Sequence, residues 1–287
     1  MFRMVHMLKT RSAAQKIFHT VAIAFAFAMS PAVVSADTHG YCRDSSICSL
    51  WVDGRIGPDD VAQFKLSLEK FGGKQNLSLF LNSEGGDIAT AIEIGRLVRR
   101  WQTSDVVVSL NSKCFSACVF VLAGGLNRVV HGKVGIHRPY STTTDSHTYE
   151  ATQKTFRDLE QSAKSFFKDM NVPTSLYDEM IGVPPQKLRV LTEQELVRFG
   201  IGQADPAYQD NLDAKSARAY GLDKVEYLGR KERADRICNA LSINEQKAGI
   251  EATLTESSNI VVACKKAVVQ SGPETEEEKR SNKNLQR

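Results

Sequence analysis

The chemistry open to this chain centres on a serine, a histidine and a pair of glycines. Ser116 stands in Lys113-Cys114-Phe115-Ser116-Ala117-Cys118, directly before the apolar stretch Val119-Phe120-Val121-Leu122-Ala123. His137 follows in Gly135-Ile136-His137-Arg138-Pro139. A hydroxyl becomes a nucleophile when it has a base within hydrogen-bond reach, donors for the oxyanion it creates, and a backbone that presents it. The first turn of a helix has unpaired N–H groups and the positive end of the macrodipole. A helix starting near Ser116 therefore makes the Ala117 N–H one candidate oxyanion donor. Upstream, Asn82-Ser83-Glu84-Gly85-Gly86-Asp87 reads as a loop between a strand and a helix, where two glycines permit a tight turn and close approach to a ligand. The Gly86 N–H is the candidate second donor, and a peptide can add as a strand along Gly85 and Gly86. Singly, each residue has a plainer role: the serine as an N-cap, the glycines as a turn, the histidine as a half-buried surface group. Their order along the chain is what argues for acyl transfer.

These residues need a frame of strands and helices to bring them together. Leu50-Trp51-Val52 reads as a strand ending at Asp53-Gly54, and Pro58 opens an amphipathic helix with Val61, Phe64, Leu68 and Phe71 at helical spacing. Gly72-Gly73 stops it. Leu77 to Leu81 is a strand, Ile88 to Trp101 a helix, and the β-branched Val106 to Leu110 a buried parallel strand. Ser116 to Ala123 is helical, Val129-Val130 and Val134 to His137 are strands, and Tyr149 to Met170 is a long helix. After Pro184-Pro185, a short strand at Val190-Leu191 leads into a helix capped by Thr192 and terminated by Gly200. Strands separated by helices of this length indicate an α/β fold built from right-handed crossovers. The expected domains are a signal segment over 1–36, the α/β domain over 37–204, a mostly helical or mixed appendage over 205–270, and a charged, disordered tail over 271–287.

The first segment carries Arg3, Lys9, Arg11 and Lys16 and no acidic residue. An apolar run from Val21 to Met29 and the small residues Val34-Ser35-Ala36 complete the pattern of a secretory signal cut before Asp37. The apolar run is too short to span a bilayer, which takes roughly 20 residues. Removing those four basic residues from the 37 Lys and Arg leaves them equal to the 33 Asp and Glu. The exported chain is thus neutral, with no electrostatic case for a nucleic-acid partner. Its six cysteines, an even count in an exported chain, favour disulfides over metal ligands. Proximity suggests Cys42–Cys48, Cys114–Cys118 and Cys238–Cys264. No metal and no cofactor are expected, and the localisation read is secreted or periplasmic.

Four blocks of this sequence resemble segments of the Clp-type serine proteases, in the family's order. Asn82-Ser83-Glu84-Gly85-Gly86 is similar to its Asn-Ser-Pro-Gly-Gly, and Cys114 to Cys118 to its nucleophile turn. Gly135 to Pro139 is similar to its Met-Ile-His-Gln-Pro, and Arg189 to Ile201 to the stretch after its catalytic aspartate. Secreted bacterial Clp-like proteins, in which a Cys-x-Ser-x-Cys turn recurs, resemble it more closely still. The resemblance, over roughly 50–202, implies a Clp/crotonase-like fold of stacked ββα units. It implies Ser116 as nucleophile, His137 as general base, and Gly86 and Ala117 as oxyanion-hole donors acting on peptide or unfolded-protein substrates without ATP. The family assembles into stacked rings through the long helix after its catalytic histidine. Tyr149 to Met170 can play that part in a homo-oligomer unless the appendage after Asp205 blocks the stacking, so the oligomeric state stays open. The sequence departs from the family at the third catalytic position, where Leu188 stands for the aspartate, with Asp178, Glu179 or Gln186 as substitutes. Glu84 replaces the family's proline. These departures leave a catalytically inactive peptide-binding or scaffold protein of the cell envelope as the alternative. Lesser alternatives are a Ser–Lys hydrolase using Lys113 or Lys133, and crotonase-like acyl chemistry.

Overall fold

A computed structural model of the protein describes residues 35–44, 47–71, 76–101, 105–140, 148–247 and 254–272. Nearly all of the expected signal segment and tail lie outside the described residues. The elements run in the order β1 (Asp37–Cys42), β2 (Ile47–Ile56), α1 (Asp60–Phe71), β3 (Asn76–Gly86), α2 (Ile88–Trp101), β4 (Asp105–Val108), β5 (Lys113–Phe115), α3 (Cys118–Gly124), β6 (Arg128–Val130), β7 (Lys133–Ile136), α4 (Tyr149–Asp169), α5 (Ser175–Gly182), β8 (Arg189–Val190), α6 (Glu193–Arg198), α7 (Pro206–Ala219), α8 (Lys224–Lys247) and α9 (Leu254–Gln270).

The strand β3 is the spine. Along Ser78 to Phe80 it pairs in parallel with β4, and at Ser83 it switches to a parallel pairing with β5 at Cys114. β4 pairs with β6 and β5 with β7, again in parallel. Each pass of the chain thus gives one strand to each of two sheets before a helix returns it. This is a stacked strand-strand-helix architecture. β1 joins antiparallel to β2 at one edge and β8 antiparallel to β7 at the other.

The apolar faces follow from the residue pattern. Leu77, Leu79 and Leu81 of β3 and Val106 and Val108 of β4 alternate into the core, as side chains of period two must. α1 buries Phe64, Leu68 and Phe71, and α2 buries Ile92, Ile94, Leu97 and Val98. α3 is buried along its whole length, and its Phe120 stacks on Phe167 of α4 at 4.7 Å. The turn before α3 is therefore seated on a rigid core element.

A buried charge cluster ties the α/β part to the helices that follow. Asp205 caps α7 and accepts from Arg99 of α2 at 3.0 Å, while Arg128 of β6 lies 3.7 Å from it. Arg128 donates to the carbonyls of Gly200 and Met170 at 2.6 and 2.7 Å. Desolvation lowers its pKa to about 10, reinforced by the nearby Arg99 charge and opposed by Asp205. For Asp205, burial pushes the pKa up, but hydrogen bonds from Asn171 and the Tyr208 amide and the charge of Arg99 outweigh it, so the net direction is downward. The C-terminal part is helical. α7, α8 and α9 share a small apolar cluster of Ala217, Tyr227, Ala234 and Val269, separate from the main core.

Three sequence expectations change. β2 does not end at Asp53-Gly54 but continues to Ile56 past an irregularity there, where Gly54 takes φ 95°. The loop expected over Asn82 to Asp87 is strand as far as Gly86, with Arg55 opposite Gly85 and Ile56 opposite Gly86. The helix expected from Ser116 begins at Cys118, and a short strand, β5, precedes Ser116.

Candidate active site

Ser116 occupies the turn between β5 and α3, at φ 55°. The left-handed region is costly for any residue with a Cβ, by roughly 1–2 kcal/mol. Among the described non-glycine residues Asn171 alone shares it. What holds Ser116 there is its amide, which donates to the Gly135 carbonyl at 2.8 Å, and its own carbonyl, which accepts from Val119 at 3.1 Å. Cys114 and Cys118 bridge across it with sulfurs 2.03 Å apart, both side chains fully buried. Cys42–Cys48 and Cys238–Cys264 close the other two pairs, the first joining β1 to β2 and the second α8 to α9. The hydroxyl is not a helix cap: α3 is entered through Ala117, and no side chain caps it.

Gly85 and Gly86 reach this turn from β3. A Cβ on Gly85 would lie 2.5 Å from the Phe115 carbonyl oxygen, 2.7 Å from the Ser116 Cβ and 2.9 Å from the Ala117 nitrogen. Only a glycine lets β3 come this close to the serine turn. Gly86, at φ 146°, is pressed on the other side against Ile56, whose oxygen would be 2.0 Å from an added Cβ. One edge of the glycine segment is thus already used by β2. Ser83 Oγ accepts the Gly85 amide at 3.0 Å and is fully buried. Glu84 stands at the exposed rim, 3.7 Å from the Lys113 ammonium.

His137 follows β7 directly. Because Phe115 pairs with Gly135 in the parallel β5–β7 ladder, Ser116 and His137 leave neighbouring strands at the same carboxyl-terminal edge. Ligand sites of α/β sheets form at such edges. The imidazole is half-buried; its Nδ1 lies 2.9 Å from the Arg138 carbonyl oxygen and its ring 5.7 Å from that of Tyr140. Lys113 and Lys133 pair at the opposite end of the same ladder, where the strands begin.

The third position is apolar. β7 and β8 pair at Gly135 to Val190 and Ile136 to Arg189, and Leu188 and His137 each stand one residue beyond that ladder. The Leu188 side chain lies over Gly135, beside the Phe115 ring. The neighbouring carboxylates are engaged elsewhere. Asp178 pairs with Lys164 at 2.8 Å, and Glu179 with Arg189 at 2.7 Å and Arg198 at 3.4 Å. Gln186 is exposed. Directly after β8, Thr192 and Glu195 form the capping box that opens α6. The Thr192 amide, and then Arg189, hold the Glu195 carboxyl down at about 2. The Arg138 carbonyl has no sequence signal, since a main-chain acceptor carries no side-chain signature.

The serine turn, the glycine strand and the histidine edge all fall inside residues 57–224, which match the family model for Clp protease. The chain belongs to the Clp protease family. Its fold is the mixed α/β fold of that family, with a mostly helical C-terminal part. Comparison with curated proteins gives no match. Among solved structures the chain is similar to a serine-to-alanine mutant of the 1510-N membrane-bound stomatin-specific protease, at 16% identity and TM-score 0.41, over 53% of this chain and 75% of that one. It is also similar to a lysine-to-alanine mutant of that protease in complex with a substrate peptide, at 16% identity and TM-score 0.41, over 53% and 71%. Among the described residues of this Clp-family chain, no helix is long and apolar enough to cross a membrane.

Proposed function

We propose that this Clp-family chain is an exported serine peptidase that cleaves peptides or unfolded proteins without ATP. The observation that carries the reading is Ser116 in a left-handed conformation at a sharp strand-to-helix turn. Sharp strand-to-helix turns hold catalytic serines in other hydrolases, and backbone strain of this kind clusters at functional sites; Ser116 itself is 9% exposed. Ser116 Oγ attacks the scissile carbonyl carbon while His137 takes the hydroxyl proton. The N–H groups of Gly86 and Ala117 receive the oxyanion. The imidazolium then protonates the leaving amine, and a water, deprotonated by the same ring, releases the acyl group from the serine. Cys114–Cys118 fixes the turn, and the three cysteine pairs fit an oxidising compartment outside the cytoplasm.

A second reading is favoured by one observation, the alkyl side chain of Leu188, which packs over Gly135, two residues before His137, at the family's aspartate position. It makes the chain a peptide-binding protein that keeps the fold without turnover. Mass-mapped reaction with a fluorophosphonate probe separates the two. The peptidase is modified at Ser116, and the binder is unmodified yet retains extended peptides in a Ser116→Ala variant.

A further inference from the structure

We propose that the main-chain carbonyl of Arg138, in place of a carboxylate, orients the His137 imidazole. The orientation stands on its own geometry; its catalytic consequence rests on reading Ser116 and His137 as nucleophile and base. Nδ1 lies 2.9 Å from the Arg138 oxygen. A carbonyl oxygen has no proton to give, so Nδ1 must carry the hydrogen. In the neutral ring this leaves the lone pair on Nε2, which is the form a base needs when Nδ1 is bound to its orienting group.

The acceptor is itself held in place. The Arg138 amide donates to the Val183 carbonyl at 2.8 Å, and its guanidinium Nε donates to the Ile181 carbonyl at 2.8 Å. Both partners close α5, so the Arg138 peptide is tied to that helix end through main chain and side chain together. Pro139 follows and is buried; its ring fixes φ and removes a competing N–H. The Leu188 side chain supplies no polar atom, and Asp178 and Glu179 are spent on Lys164, Arg189 and Arg198.

A carbonyl does one of the two jobs of a triad aspartate and only part of the other. It enforces the tautomer as strictly as a carboxylate, because it can only accept. It stabilises the imidazolium through a dipole instead of a full charge, so transfer of the serine proton is slower than with an ionised partner. An alkyl residue at position 188 is therefore compatible with catalysis, in a slow enzyme.

The test is long-range proton–nitrogen NMR of the full chain labelled with 15N-histidine, with His137 assigned from a His137→Gln sample. With the ring neutral, the account expects Nδ1 protonated and Nε2 unprotonated, in the native chain and equally in Ser116→Ala and Leu188→Ala. A ring protonated at Nε2, or averaging between tautomers, overturns the proposal. So does loss of the Nδ1–H form in Leu188→Ala, which assigns the orientation to apolar packing. Fluorophosphonate labelling of the same samples separates the two ideas. An Nδ1–H ring without labelling removes the peptidase reading and keeps the orientation, and labelling with an Nε2–H ring does the reverse.

Discussion

The Ser116 amide donates to the Gly135 carbonyl at 2.8 Å, which ties the turn bearing the candidate nucleophile to the strand that ends at the candidate base. The bond sets the relative height of the two groups along a parallel ladder. It also supports a backbone conformation that serine does not favour.

That conformation predicts a trade between stability and function. Relieving the left-handed strain in Ser116→Gly gains roughly 1–2 kcal/mol, offset by about 0.5–1 kcal/mol of extra unfolded-state entropy. Thermal unfolding of Ser116→Gly should therefore show a midpoint equal to or above that of the native chain, with labelling abolished. A Ser116→Val variant, β-branched at the same φ, should unfold at a lower temperature than either.

Gly85→Ala tests the close approach of β3 to the serine turn. The added methyl meets the Phe115 oxygen, the Ser116 Cβ and the Ala117 nitrogen at 2.9 Å or less. Overpacking of this kind costs about 1–3 kcal/mol, and displacing a reacting group by about 1 Å costs on the order of a hundredfold in rate. Denaturant unfolding and labelling kinetics on one sample should show both losses, of similar size in free-energy terms, since a hundredfold in rate is about 2.7 kcal/mol.

The Cys114–Cys118 pair closes a short loop across the nucleophile. Replacing both cysteines by alanine should destabilise the chain by about 2 kcal/mol, the low end for disulfides because the loop is short. It should also slow labelling of Ser116 at least about tenfold, since the turn loses its brace. Free thiols at both positions in mass mapping of the oxidised protein would rule the bridge out.

The acid branch of the stability profile follows from Asp205. Its folded-state pKa lies below the ordinary value of 3.8, so the folded chain binds fewer protons than the unfolded one as pH falls through that value. The stabilisation is fully present above 3.8 and is lost as pH drops through the folded-state pKa. Asp205→Asn removes the charge facing Arg99 and the fully buried Arg128. It should cost about 3–5 kcal/mol at neutral pH, as breaking a buried pair does, and its melting temperature should fall less on acidification than that of the native chain.

Much of the frame was legible because it is written locally. Ile88 to Trp101 alternates apolar and polar residues at helical spacing, and the helix has those same bounds. Thr192 reads as a helix cap, and the structure has it there, in a capping box with Glu195. The proximity pairing of the cysteines is also the pairing in the fold. The misreadings come from pairing at long range. Gly85 and Gly86 look like a turn in isolation, yet β2 holds them extended through Arg55 and Ile56. β5 is too short to show a period, and it forms because Ser83 and β7 offer edges on both sides. At the site, Leu188 was readable as a departure, but the carbonyl facing His137 belongs to the main chain, where residue type gives no sign.

The central claim is that Ser116 and His137 act together, and covalent labelling measures it most directly. Incubation of the folded, oxidised chain with a fluorophosphonate probe should give one adduct, on Ser116, formed fastest in the native chain. The adduct should be absent in Ser116→Ala and slowed at least about a thousandfold in His137→Ala, within the range seen when a member of a catalytic unit is removed. A native-like His137→Ala variant that labels at the native rate would contradict the account.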